Sequence, residues 1–101
     1  MKLVNLKPEK GFKLVAGTSR SQAATMVLPA RNSTGGPDNR HPDSDQWLFV
    51  LAGRGQAIVA GSRVDLQPGD LLLIEAGEAH EIINSGDAPL ETLTLYAPSM
   101  F

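Results

Sequence analysis

Residues 69–84 read GDLLLIEAGEAHEIIN, and how this stretch is read decides the fold. Pro68-Gly69-Asp70 has turn chemistry: proline presets φ and glycine accepts conformations that other residues avoid. The apolar run Leu71-Leu72-Leu73-Ile74 that follows is too short for a helix and long enough to cross a small core as a strand. Gly77, inside Ala76-Gly77-Glu78, lets the chain reverse, and His80 opens a second short run through Ile82 and Ile83. The stretch is therefore strand, tight turn, strand.

The same pattern extends in both directions. Short runs rich in β-branched or apolar residues occupy 13–16, 23–28, 47–52, 56–60, 63–66, 70–75, 80–84 and 90–96. Turn residues separate them at Gly53-Arg54-Gly55, Gly61-Ser62 and Ser85-Gly86-Asp87. Eight short strands joined this way predict an all-β sandwich or barrel. Ser19-Arg20-Ser21-Gln22 could cap one helical turn over residues 19–26, although Thr25-Met26-Val27-Leu28 has strand composition. Residues 30–45 form the longest irregular stretch and lead into NRHPDSDQ at 39–46, directly before Trp47-Leu48-Phe49-Val50-Leu51-Ala52.

Composition narrows the function. With 101 residues and no cysteine, a single domain can form its own core, and disulfides, thiolate zinc sites and cysteine nucleophiles are excluded. Nine Lys and Arg against eleven Asp and Glu, both scattered, mark no face for a phosphate backbone, so no nucleic-acid partner is expected. Gly53-x-Gly55 lacks the third glycine and the helix of a dinucleotide fingerprint and is read as a hairpin turn. No apolar run reaches the length of a signal core or a membrane span, and the chain is read as cytoplasmic, with no membrane partner.

Two segments together resemble the cupin superfamily, in its small conserved-barrel form. Residues 69–84 match the second cupin motif, G-x5-P-x-G-x2-H-x3-N, at Gly69, Gly77, His80 and Asn84, with Glu75 in the proline place. The first motif, G-x5-H-x-H-x3,4-E-x6-G, fits in two registers. In one, Asn39 and His41 take the histidine places, Gln46 the glutamate place and Gly53 the closing glycine; in the other, Gly35 opens the motif and His41 and Asp43 take the histidine places. The first is preferred, because residues two apart on a strand share a face, and Gln46 would head a strand whose Leu48, Val50 and Ala52 point with it. Trp47, Phe49 and Leu51 would face the other way, an apolar surface to be covered by the N-terminal segment or by a second copy of the chain.

The resemblance implies a small jelly-roll, or double-stranded β-helix, barrel spanning 1–101. In it, residues 1–30 cover the barrel or a dimer face, 33–84 carry both motifs, and 88–101 form the closing strand and tail. It further implies a homodimer and a divalent metal ion (Mn, Fe, Ni or Zn) held by His41, Gln46 and His80, with Asn39 as fourth ligand unless Asp43 or Asp45 folds inward. A neutral amide in place of a carboxylate would leave the ion more of its charge and hold it less firmly. The expected ligand is a small oxygenated metabolite such as a sugar or sugar acid. Such a site could serve an isomerase, lyase or dioxygenase, or a non-enzymatic binding protein whose metal is weak or absent. Glu75, Glu78 and Tyr96 are candidate acid–base groups, and Arg31 or Arg40 could hold a carboxylate.

Overall fold

The computed structural model describes residues 1–36 and 41–101. Among the described residues nine strands follow in order: β1 (Gly11–Gly17), β2 (Gln22–Leu28), β3 (Ser33–Gly35), β4 (Asp45–Ala52), β5 (Gly55–Val59), β6 (Ser62–Leu66), β7 (Leu71–Ile74), β8 (His80–Ile83) and β9 (Leu90–Ala97). They form two antiparallel sheets, β1-β2-β9-β4-β7 and β3-β8-β5-β6, packed as a jelly-roll barrel. The fold is all-β as expected. No helical turn forms over 19–26: residues 19–21 bend into β2 and 22–26 lie in it, because Ala24, Met26 and Leu28 must all reach the core and a two-residue period does that. One strand was not expected: β3 is three polar or small residues paired at an edge with β8, and its sequence carries no alternation to read.

The two sheets meet over Met26, Leu28, Leu48, Val50, Ile74 and Leu90 on one side and Ala57, Leu66 and Ile82 on the other. Leu48, Ile74, Ile82 and Leu90 are fully buried, each contributing about 1.5–3 kcal/mol through burial. Along β4 the expected alternation holds through Val50 and then stops. A bulge follows, pairing Ala52 with Glu91, so Ala52 leaves the inward set of Gln46, Leu48 and Val50. Gly53 then turns the chain with φ of +84°, where a Cβ would stand 2.2 Å from the Pro89 carbonyl oxygen, so both conformation and space require glycine.

The outer face of the larger sheet is covered in part. Met1 and Lys2 border one surface hollow with Ala23 and Leu95, and Pro8 and Lys10 border another with Val27 and Glu91, so the N-terminal residues pass near the β2 side of this face while Met1 and Leu3 stay exposed. Thr25, between those points, is only 1% exposed. Trp47, Leu71, Leu73 and Leu95 remain exposed on this face, aligned across β7, β4 and β9 by the pairs Trp47–Leu73 and Trp47–Leu95.

Candidate metal and ligand site

A cavity of about 390 Å³ opens between the sheets at the end of the barrel where β4 begins and β9 ends. Three of the four expected ligands line it: His41, just before β4; Gln46, on the inward face of β4; and His80, the first residue of β8. Local backbone bonds bring them together. The Gly77 N–H donates to the His41 carbonyl at 2.9 Å, tying the loop before β4 to the turn before His80. Gln46 pairs with Ile74 on one side and Tyr96 on the other, which sets its side chain on the buried face. Asn39 and Arg40 lie outside the described residues.

The histidine rings are 4.7 Å apart between centroids, tilted by 55°. Two imidazoles bound to one ion at about 2.0–2.1 Å, with bond angles near 90–110°, would stand about 4.5–5.3 Å apart, so the rings fit a shared ion. His80 Nδ1 lies 3.1 Å from the Glu78 carbonyl oxygen, which can only accept. The ring proton therefore sits on Nδ1 and Nε2 is the basic nitrogen, the arrangement an outer hydrogen bond gives to metal-binding histidines. His41 Nδ1 and Gln46 Oε1 are both buried with no hydrogen-bond partner. Burial holds the His41 pKa below its ordinary 6.5 and the charge of His80 adds to this, while the Gln46 side chain opposes them. His41 is thus a neutral donor at pH 7.

The other expected groups divide. Tyr96 lines the cavity, edge-on to His41 with centroids 5.5 Å apart, and burial pushes its phenol pKa up to about 12. At neutral pH it can donate a proton in a hydrogen bond and cannot act as a base. Glu75 and Glu78 do not line the cavity; a Glu78 carboxylate oxygen instead accepts the Glu75 backbone N–H at 2.8 Å. Asp45 accepts the Ala76 N–H at 2.9 Å, Asp43 is exposed, and neither reaches the cavity, so the register that gives Asp43 a ligand place finds no support. Arg31 is paired on the surface with Asp87 at 2.5 Å. Among the described residues, no three His, Cys, Asp or Glu side chains come together as a metal group. What His41, Gln46 and His80 bring to the cavity is two imidazoles and an amide.

Asn84 was matched in the sequence as the last anchor of the second motif but given no role there. It is fully buried, and its Nδ2 donates to the carbonyls of Leu28 at 2.9 Å, Pro29 at 3.2 Å and Ala88 at 2.8 Å, while Oδ1 accepts the Gly86 N–H at 3.0 Å. It joins the ends of β2 and β8 to the loop before β9. Also missed were Phe12 and Phe101, which complete the cavity wall although they stand 89 positions apart in sequence, counting from 12 to 101.

The protein-family model described as "Cupin domain" matches residues 25–96, well over half of the chain. The chain is a cupin. A curated relative, the oxalate-binding protein of Thermotoga maritima, is 32% identical over 72 residues, covering 71% of this cupin and 58% of the relative. Among solved structures, a protein of Bacillus halodurans superposes with a TM-score of 0.85 at 24% identity, covering 91% of this chain and 73% of its own. KdgF from a Halomonas species superposes with a TM-score of 0.79 at 22% identity, covering 88% and 78%. At these identities the two structures support the fold alone. The matches span 34%, 58% and 54% of the curated relatives' lengths. Among the described residues no helix is long and apolar enough to cross a membrane.

Proposed function

We propose that this cupin binds a small oxygenated metabolite in the barrel cavity through a divalent metal ion held by His41, Gln46 and His80. One observation carries the reading: His41 Nδ1 and Gln46 Oε1 are buried without a partner of good hydrogen-bond geometry, even though the Gln46 side chain lies close enough to His41 to oppose the fall of its pKa, and both side chains line the same cavity as His80. Buried polar groups are left unpaired at a cost of about 1–3 kcal/mol each, and an ion or ligand would relieve it. When bound, Mn, Fe, Ni or Zn would act there as a Lewis acid on a ligand oxygen. The residues themselves position the ligand: the imidazoles and amide converge, and the Tyr96 hydroxyl can donate to an oxygen beside them. A sugar or sugar acid is one ligand class that such a site takes.

A second reading is non-enzymatic binding with the metal weakly held. It is favoured by the absence of any carboxylate among the described lining residues, which leaves an isomerase, lyase or dioxygenase no base besides the imidazoles. The name of the Thermotoga relative, an oxalate-binding protein, points the same way. For either reading we propose that the chain pairs as a homodimer through the exposed apolar face of the larger sheet.

Elemental analysis of untagged protein, with His41→Ala and His80→Ala in parallel, tests the ion. Near-stoichiometric metal in the parent chain and its loss in both variants is the expected result; no metal after reconstitution with each of the four ions would sink the metal reading.

A further inference from the structure

The cavity wall is a file of rings. Phe12 of β1 meets Phe101 with centroids 5.2 Å apart, and Phe101 meets Tyr96 at 5.5 Å. Tyr96 meets His41 at 5.5 Å, which in turn meets His80 at 4.7 Å. At the open end of this file Phe12 and Phe101 remain 45% and 60% exposed. Aromatic surface held open to water at the mouth of a cavity is a disadvantage unless something covers it.

These rings are held in place. Gln22, paired with Tyr96 across β2 and β9, accepts the backbone N–H groups of Met100 and Phe101 on its Oε1, both at 2.7 Å, and its Nε2 donates to the Phe101 carbonyl. Ser99 donates to the Thr18 carbonyl, and Ser44 to that of Pro98 at 2.8 Å. A segment outside any strand is thus fixed so that Phe101 stands against Phe12. Such preorganisation lowers the entropy lost on binding.

The remaining wall joins the apolar side chains of Met26, Leu28 and Ile82 to Ser33 and Thr34 of β3, and no Asp, Glu, Lys or Arg lines the cavity among the described residues. Ser33 and Thr34 could serve a hydroxyl on the β3 side, but a ligand with hydroxyls on every side would still set others against Phe12, Phe101, Met26, Leu28 or Ile82 without partners. A flat ring would cover the two exposed phenylalanines and keep its polar atoms at one end. We propose that the preferred ligand is a planar aromatic or conjugated-ring compound with paired oxygen substituents, its ring against Phe12 and Phe101 and its oxygens toward His41, Gln46 and His80. Phe12 and Phe101 are the specificity-determining pair and Gln22 is a positioning residue. This rests on the ligand-binding reading above and, among small oxygenated metabolites, puts an aromatic ring in place of a sugar or sugar acid.

Calorimetric titration of the zinc-loaded chain with benzohydroxamate and cyclohexanecarbohydroxamate separates the two claims, since both probes share one chelating head and differ in whether the ring is flat. Benzohydroxamate should bind about three- to tenfold tighter. Phe12→Leu and Phe101→Leu, which keep apolar volume without a flat ring, should bring that ratio close to one. Gln22→Leu should do the same while Gln22→Glu, which keeps the acceptor for the two N–H groups, retains part of the preference. Equal binding of both probes by the parent chain, or an unchanged ratio in all the variants, overturns the ring preference and leaves the ligand site standing. Failure of both probes to bind, with zinc bound, overturns the ligand-site reading and this inference with it.

Discussion

Exchanging the Gln46 carboxamide for a carboxylate changes the charge of the cavity without changing its shape, and this makes Gln46→Glu the most informative single substitution. The side chain is buried on β4 beside both imidazoles, so a full negative charge there would attract a divalent ion through poorly screened surroundings. Metal affinity, measured by competition with a chelator, is expected to rise on the order of tenfold or more. Unchanged affinity would remove Gln46 from the ligand set. His41 offers a test by pH on metal-free protein. Its folded pKa lies below 6.5, so the unfolded chain takes up a proton first as pH falls, and the folded state loses stability from about pH 6.5 downward until the folded ring also protonates. In denaturant titrations between about pH 7.5 and 5.5, His41→Gln should flatten this decline relative to the parent chain. A slope of the same size in the variant would show that the decline arises elsewhere. That both side chains reach one cavity was legible from the likeness to the cupin motifs; strand periodicity accounts for Gln46 on β4, whereas His41 lies in the loop before β4, outside any strand. Their unpaired state was not, since it depends on what the rest of the barrel withholds.

At the scale of elements, the barrel is closed by side chains that reach across strand ends. Asn84 is the clearest case, with one buried carboxamide serving the three carbonyls of Leu28, Pro29 and Ala88 and the N–H of Gly86. Asn84→Ala would leave these groups without a partner inside the protein, so a loss of about 3–5 kcal/mol in unfolding free energy is expected from chemical denaturation. A loss below about 1 kcal/mol would mean that water or a local shift replaces the carboxamide. Asn84 stands in a recognisable motif, yet nothing in its neighbours says that its partners lie on β2, about fifty-five positions away. The eight longer strands were readable because apolar residues recur at period two between turn residues. β3 was not, because three edge residues that bury little leave no pattern. Phe101 escaped for a related reason: its role depends on Gln22, a polar residue that in sequence is indistinguishable from surface.

Across the whole molecule, the larger sheet has two apolar sides and only one of them faces the core. Trp47 and Phe49 alternate with the buried Gln46 and Leu48, so an outward apolar row on β4 was visible in the sequence, whereas its extension to Leu71, Leu73 and Leu95 needed the strand order β9-β4-β7. The N-terminal residues pass near the β2 side and leave Trp47, Leu71, Leu73 and Leu95 in the open. A second copy related by a two-fold axis would set this patch against itself, the arrangement of most homodimers. Charge on the patch would then be placed opposite its own copy, where both desolvation and like-charge repulsion oppose association. Leu73→Glu is therefore expected to convert a dimer to a monomer in sedimentation velocity while the barrel stays folded, because the side chain points away from the core and its neighbour Trp47 is itself exposed. The melting temperature of the parent chain should rise with protein concentration and that of Leu73→Glu should not, since only association couples stability to concentration. A parent chain that sediments as a monomer at every concentration would end the dimer proposal, and would leave the open half of the sheet as an apolar surface without an occupant.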